Sequence, residues 1–166
     1  MYKHITYLKD SIGNQYVGIN FSEHDISDEI TNWLSLFDNT EMSSGKMLNF
    51  IKNRFNRDGD YYHITLINVS EWKKLKSINS ISVLEDKLFP KIIHDINFEG
   101  IGRAVKGEDE TYFIVVSSII LSSIRADMGL SPADLHITLG FNKKDVHGVP
   151  KGFNSIIKKN ITDDTL

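Results

Sequence analysis

Two short segments of the chain combine residue types that can move protons to and from an ester. The tripeptide His-Ile-Thr stands at 63–65 and again at 136–138, in the contexts YYHITLINV and DLHITLGF. Successive side chains of a β-strand point to opposite faces, so a histidine and a threonine two residues apart point the same way. Each segment therefore predicts a strand that presents one imidazole and one hydroxyl side by side.

These four side chains predict a two-histidine acid–base mechanism. A neutral imidazole accepts the proton of an attacking hydroxyl or water, and an imidazolium donates a proton to the leaving oxygen. The hydroxyls of Thr65 and Thr138 are suited to hydrogen-bond the non-bridging oxygens of a phosphate, where negative charge resides. We therefore expect His63, Thr65, His136 and Thr138 to be catalytic. No acidic cluster has metal-ligand spacing, so neither a metal nor another cofactor is expected.

A third His-Ile-Thr lies at 4–6, ahead of the first long strand. It lacks the hydrophobic strand followed by glycine that surrounds the second motif. We interpret His4 as an exposed histidine on an edge strand and expect it to take no part in the chemistry.

Length and composition indicate one ordinary globular domain spanning 1–166. Apolar residues make up 40% of the chain and charged residues 25%, which is typical of globular proteins. The formal net charge of −3 argues against an extended duplex DNA partner. The chain has no cysteine, which excludes disulfides and thiolate chemistry. The polar N-terminus and the lack of a long apolar run predict a cytoplasmic monomer with no membrane partner.

The order of elements predicts the α+β class. In the first half we expect a hairpin of strands 2–8 and 16–21, helices over 25–37 and 45–55, strand 61–69, and helices over 70–78 and 82–94. In the second half we expect a hairpin of strands 96–106 and 111–118, a helix ending at Gly129, strand 135–141 and a short tail helix near 152–160. Asp25 and Ser27 are the expected caps of the first helix, and Met47, Leu48, Ile51 and Phe55 the expected buried face of the second.

The paired motifs resemble those of the 2H phosphoesterases, a family named for two His-x-Thr/Ser motifs. The two motifs lie 73 residues apart, a separation typical of that family, and the resemblance covers most of 16–152. The segments GIGRAVKGEDETYFIVV and DLHITLGFNKKDVHGVPK are similar to the branch associated with cyclic nucleotides and RNA repair. The resemblance implies a bilobed fold with two pseudo-symmetric lobes, in which two antiparallel sheets line a central cleft and helices lie outside.

The resemblance also implies a phosphodiesterase of nucleotides. Family members cleave 2′,3′-cyclic phosphates, 2′-5′ linkages or cyclic oligonucleotides, so the expected partner is a nucleotide or a short or cyclic oligonucleotide. Two alternatives remain open at this point. One is a catalytically silent module of the same fold that binds a nucleotide or RNA, and the other is a metal-dependent esterase with His and Asp ligands.

Two candidate substrate-binding residues stand two positions before the histidines. Tyr61 and Asp134 share a strand face with His63 and His136 if the strands extend that far. Asp134 either orients His136 or caps the turn at SPAD. If its carboxylate reaches the imidazole, it raises the pKa of His136, which would make His136 the acid and His63 the base.

The other candidates flank the second motif. Arg103 binds phosphate or is a solvated strand arginine, and Lys151 belongs to a loop that covers the cleft or is an ordinary surface residue. Gly140 leaves room for substrate on the face of His136 or simply precedes the loop. Trp72 is expected to pack in the core.

Overall fold

The computed structural model describes residues 1–160, so the last six residues of the expected 1–166 domain lie outside the described part. The chain divides into two compact units, each assembled from separate segments. Unit 1 comprises Met1–Asn20, His63–Asn97 and Ser117–Ala133. Unit 2 comprises Phe21–Tyr62, Phe98–Val116 and the segment that begins at Asp134. The strand with the motif at 63–65 therefore belongs almost wholly to unit 1, and the strand with the motif at 136–138 belongs to unit 2.

The described residues contain six α-helices and nine strands. The helices are α1 (Ser27–Leu34), α2 (Asn39–Ser43), α3 (Lys46–Asp58), α4 (Val69–Ile78), α5 (Ile81–Leu88) and α6 (Ile119–Asp127). The strands are β1 (Lys3–His4), β2 (Thr6–Lys9), β3 (Gln15–Phe21), β4 (Tyr62–Ile67), β5 (Ile92–Ile93), β6 (Asn97–Lys106), β7 (Asp109–Ser117), β8 (His136–Phe141) and β9 (Ile156–Lys159). Two single 3-10 turns cover His24–Ile26 and Phe153–Ser155.

The N-terminal hairpin confirms the expected pair of strands. β2 and β3 pair antiparallel, with Thr6 opposite Gly18. The Asp10 carboxylate closes the turn, because it accepts hydrogen bonds from the backbone N–H groups of Ile12 and Asn14. β4 follows β3 in the strand order of this unit. β1 lies apart from these strands and pairs with β5, which leaves His4 exposed as expected.

The helices of unit 1 begin and end at identifiable signals. Asn68 caps α4 in a reciprocal capping box with Glu71, which satisfies two backbone N–H groups. α5 ends at Leu88, before Pro90, because a proline has no backbone N–H to donate and its ring clashes with the preceding helical turn. The expected extension of this helix to 94 is wrong, since Ile92–Ile93 forms β5.

The core of unit 1 contains Trp72, as the sequence predicts. Its side chain is fully buried and its indole N–H donates to the Gln15 amide oxygen. The ring of Tyr7 packs edge-on against Trp72 and against Phe89. These contacts join α4 and the end of α5 to the hairpin, so the helices cover one face of the strands.

In unit 2 the strands follow the order β8-β7-β6-β9. β6 and β7 form the expected hairpin, which turns at Gly107 with its positive φ of 62°. The expected tail helix is wrong, because Ile156–Lys159 is a strand antiparallel to β6. Burial alternates along this segment with a period of two, which suits a strand edge and not a helix face.

The start of α1 differs from the expected capping. Ile26 occupies the N-cap position and no side chain caps the helix. Asp25 instead accepts a hydrogen bond from the backbone N–H of Ser22 and stabilises the preceding 3-10 turn. The expected caps Asp25 and Ser27 are therefore each wrong by one position.

The buried face of α3 also differs from the expected one. Phe50 and Arg54 are buried, whereas Leu48 and Phe55 are 62% and 50% exposed. Phe50 packs into an aromatic cluster with Phe37 and Tyr112, to which Trp33 also belongs. An arginine is buried here because its guanidinium donates to two backbone carbonyls and lies 3.8 Å above the Tyr62 ring.

The α+β class is confirmed by the six helices and antiparallel strands. Within residues 1–160, no helix has the length and apolarity that crossing a membrane would require.

The face of α3 that packs on the strands is testable by a matched pair of substitutions. Phe50→Ala should lower the free energy of unfolding by about 3–5 kcal/mol, because it empties a buried aromatic site. Phe55→Ala on the same helix should change it by less than about 0.5 kcal/mol. Urea unfolding of both variants measures the difference, and equal losses would show that the buried face is not the one described.

Candidate active site

The first motif lies on β4 in unit 1, with its two polar side chains on one face. Ile64 and Leu66 are fully buried on the other face, at 0% and 1% exposure. His63 and Thr65 alternate with them and are half-buried. The buried isoleucine and leucine determine the strand's orientation, because turning it over would expose them to water.

β3 approaches the first motif closely and contributes a tyrosine to it. The phenol oxygen of Tyr16 lies 3.3 Å from Nε2 of His63, and the two rings meet edge-on. Gly18 permits the approach, since a Cβ there would lie 2.1 Å from the backbone oxygen of Ile64. Any other residue at 18 would push β3 away from the strand that carries His63.

The second motif lies on β8 in unit 2 and has its own fixed geometry. Nδ1 of His136 lies 2.6 Å from the backbone oxygen of Asp134. A carbonyl oxygen only accepts hydrogen bonds, so Nδ1 carries a proton in this contact. The neutral imidazole is therefore the Nδ1–H tautomer, and Nε2 is the nitrogen that takes up or releases a proton.

An aromatic side chain supports the second imidazole. Val115 of β7 lies opposite His136 in the strand register, and Phe113 lies opposite Thr138. The Phe113 ring meets the imidazole edge-on at 5.6 Å between centroids. Val115 and Phe113 belong to a buried apolar cluster with Ala104 and Val146. The strand face that carries His136 therefore has apolar side chains next to the imidazole.

A register shift removes Gly140 from the face of His136. Tyr112 lies opposite Gly140 and Phe113 opposite Thr138, so β8 contains one extra residue between them. Such a bulge reverses the alternation, and Gly140 points to the opposite face. A Cβ at 140 would lie 2.8 Å from Trp33 and 2.9 Å from the backbone oxygen of Phe50. Gly140 thus serves helix packing and does not leave room for substrate beside His136.

The structure does not bring Arg103 together with the second motif. A Cβ at Gly102 would meet the Phe113 ring, so Gly102 faces the side of His136 and Arg103 faces away from it. Arg103 instead forms an ion pair with Glu110. Arg103 is thus partly exposed on the other face of β6, where Glu110 is its ionic partner.

A buried group of charges lies behind Thr138. Asp145, in the loop after β8, bonds Arg57 of α3 at 2.5 Å and the Lys151 ammonium at 3.2 Å. The Thr138 hydroxyl donates to the same carboxylate over a longer distance, 3.4 Å. Burial alone would raise the pKa of Asp145, but the charges of Lys151 and Arg57 more than offset it and hold that pKa well below its usual range.

Lys151 is neither on a loose cover nor on the surface. Its side chain is 6% exposed, and its Nζ lies 5.7 Å from the centre of the Phe113 ring. An ammonium has three hydrogen-bond donors, and within the described residues the bond to Asp145 is its one hydrogen bond. Since Phe113 also contacts His136, Lys151 and the imidazole adjoin the same ring.

The remaining candidates lie elsewhere than the sequence suggests. The Asp134 carboxylate accepts the backbone N–H of Lys151, while its backbone oxygen, not its carboxylate, orients His136. The assignment of His136 as acid therefore loses its basis. Tyr61 precedes β4, so strand alternation does not place it beside His63, and its ring is 60% exposed.

Sequence reasoning missed Tyr16, Arg57 and Asp145. Tyr16 is the second residue of the strand QYVGINF, in which Gly18 is the sequence signal for a close approach of two strands. Asp145 is the acidic residue in the basic loop NKKDVHGVPK, but nothing in that loop indicates a partner on α3. Arg57 lies 88 positions before Asp145 in the chain, beyond the reach of local patterns.

The fold and motifs define an α+β protein with two strands that each present a histidine and a threonine. The family model described as "Swiss Army Knife, 2H phosphoesterase domain" matches residues 28–147. The chain belongs to the 2H phosphoesterase family, as the paired motifs suggest. Searches of curated proteins and of solved structures found no significant match.

The buried carboxylate makes the stability of unit 2 depend on pH. A depressed pKa in the folded state adds stability above the unfolded value, near 3.9 for an aspartate. That contribution should be complete above about pH 5 and be lost as the pH falls toward the folded-state pKa of Asp145.

Asp145→Asn should therefore lower the free energy of unfolding by about 3 kcal/mol at pH 7, because it removes one partner of a buried ion pair. The low end of the usual range applies because Arg57 keeps its contact with Asp58. The difference from the wild type should shrink between pH 5 and pH 3 in urea unfolding experiments. A difference that grows in acid would contradict the assignment of a low pKa to Asp145.

Proposed function

We propose that this protein is a metal-independent phosphodiesterase that hydrolyses a nucleotide phosphodiester with His63 and His136 as its two proton-transfer groups. The observation that carries the proposal is the hydrogen bond from Nδ1 of His136 to the Asp134 carbonyl. It selects the tautomer in which Nε2 exchanges the proton, as an acid–base catalyst requires. Membership of the 2H phosphoesterase family supports the same chemistry.

In the proposed reaction one imidazole removes a proton from water while the other protonates the leaving oxygen. The attacking oxygen forms a bond to phosphorus, the bond to the leaving oxygen breaks, and each proton moves to or from a histidine nitrogen. Thr65 and Thr138 donate hydrogen bonds to non-bridging oxygens. The geometry of Asp134 leaves open which histidine is the acid, so the two roles are not assigned.

Lys151 is proposed as the cationic donor to the phosphate. Two features support this role: the ammonium is buried next to Phe113, and its hydrogen bond to Asp145 leaves further donors for an anionic oxygen. A charge held away from water interacts more strongly with a phosphate than a solvated one does. Thr138 donates to Asp145 over 3.4 Å, a weak bond whose hydrogen is readily redirected to a bound phosphate.

The substrate classes follow from the family. A 2′,3′-cyclic phosphate, a 2′-5′ linkage and a cyclic oligonucleotide are the proposed alternatives, all of which contain at least one phosphodiester between ribose oxygens. The whole chain is proposed to act as one domain and to work as a monomer in the cytoplasm.

The two histidines are tested by separate alanine variants. His63→Ala and His136→Ala should each lower turnover by at least about 10²-fold, the scale of a lost general acid or base. The measurement is product formation from a 2′,3′-cyclic nucleotide, a 2′-5′-linked dinucleotide and a cyclic dinucleotide.

His4→Ala is the matched control, because it removes a histidine from the same tripeptide on an exposed strand. It should leave turnover unchanged. Full activity of either His63→Ala or His136→Ala would defeat the mechanism. Binding of these nucleotides without turnover by the wild type would instead support a silent binding module.

Treatment with a chelator separates this mechanism from a metal-dependent one. Turnover should survive EDTA and should not increase with added zinc or manganese, because each histidine is accompanied by a hydroxyl and not by carboxylates at ligand spacing. Loss of turnover in EDTA with recovery on adding one of these ions would establish a metal-dependent esterase.

A further inference from the structure

A tyrosine hydroxyl adjoins the reacting nitrogen of the first motif. The phenol oxygen of Tyr16 lies 3.3 Å from Nε2 of His63. The Tyr16 ring is buried at 8% exposure and meets the imidazole edge-on. The hydroxyl is therefore held beside the histidine by a ring whose position is fixed by its surroundings.

Packing alone does not account for this hydroxyl. A phenylalanine would fill the same volume, and removing a hydroxyl from water costs free energy unless it is hydrogen-bonded. Tyr16 directs that hydroxyl at an imidazole nitrogen, which both donates and accepts hydrogen bonds according to its protonation. The contact thus joins a phenol hydroxyl and an imidazole nitrogen. Each of these two groups can also hydrogen-bond an oxygen atom of a bound molecule.

The distance between the two atoms determines what that third oxygen can reach. An oxygen about 2.8 Å from Nε2 is at ordinary hydrogen-bond distance. Because the phenol oxygen is 3.3 Å from the same nitrogen, a third oxygen that lies beside the pair, at the apex of a triangle with both atoms, is within hydrogen-bond distance of each. A substrate oxygen that exchanges a proton with Nε2 of His63 is then also in reach of the phenol.

We propose that Tyr16 is a further catalytic residue of this enzyme, which donates a hydrogen bond to the phosphodiester oxygen or water that exchanges a proton with His63. The proposal rests on the proposed function of His63. The phenol O–H of Tyr16 is a hydrogen-bond donor, and in the proposed step it donates without giving up its proton. The proton that moves travels between the substrate oxygen and Nε2.

The hydrogen bond from Tyr16 stabilises charge on the reacting oxygen. A donor that is in position before the reaction lowers the barrier most where charge grows, and its removal costs turnover more than binding. Before substrate binds, the same hydroxyl bonds the imidazole and keeps the ring in orientation. Tyr16 therefore has a partner in both the free and the bound enzyme.

The test is Tyr16→Phe, which removes one oxygen and keeps the buried ring. Turnover number should fall by about 10²-fold, as for the loss of one positioned donor, while KM changes by less than about threefold. The substrates are a 2′,3′-cyclic nucleotide, a 2′-5′-linked dinucleotide and a cyclic dinucleotide, with the full chain. The melting temperature should remain close to that of the wild type.

Tyr7→Phe is the matched control in the same unit. The Tyr7 hydroxyl donates to Glu85 at 2.9 Å, and burial and this carboxylate raise the pKa of Tyr7 to about 12. Its loss removes a similar tyrosine hydrogen bond away from His63. Tyr7→Phe should keep the turnover number of the wild type.

The outcomes separate this proposal from the proposed function. A wild-type turnover number in Tyr16→Phe, together with inactivity of His63→Ala, would overturn the role of Tyr16 alone. No turnover of any of the three substrates by the wild type would overturn both. Equal losses in Tyr16→Phe and Tyr7→Phe would show a general effect of lost tyrosine hydroxyls and would also overturn it.

Discussion

Both His-Ile-Thr motifs depend on one constraint, the alternation of side chains along a strand whose isoleucine is buried. Ile64 and Ile137 are completely buried, and each stands between a histidine and a threonine. Shifting β4 by one residue would exchange its polar and apolar side chains and turn Ile64 out of the core. In β8 the same shift would move His136 and Thr138 to the face where Ile137 is buried. Burial of such a side chain stabilises the fold by roughly 2–3 kcal/mol. The same burial therefore determines which face of the strand carries the histidine and the threonine.

This constraint explains which parts of the molecule are predictable from sequence. The strands around both motifs and the hairpins follow from local patterns, and so does the α+β class. The exceptions are positions where a bulge or a contact with a distant element overrides the hydrophobic period of the sequence. The bulge in β8 reverses Gly140, and the aromatic cluster selects Phe50 over Leu48 as the buried face of α3. The segment at 156–159 becomes a strand because the edge of β6 accepts it.

The partners of the two motifs are less predictable, because they come from distant parts of the chain. Tyr16 stands 47 positions before His63, and Arg57 stands 88 before Asp145. Neither pair follows from spacing or composition, since a lone tyrosine in a strand and a lone arginine at a helix end are ordinary. The sequence thus identifies the two His-Ile-Thr motifs, but the side chains that contact and support them emerge only with the tertiary structure.

The two motifs also differ in the charge of the side chains around them. His63 shares a hydrogen bond with the phenol hydroxyl of Tyr16. The motif of His136 is backed by Asp145, Arg57 and Lys151, whose mutual attraction offsets the cost of burying them. A cluster of this kind is a poor source of stability compared with apolar packing, which argues that it is kept for its ordered charge. In the proposed mechanism the Lys151 ammonium turns toward a phosphate without losing the carboxylate that holds it. The second motif then binds the anion, and the Tyr16 hydroxyl assists proton transfer at the first.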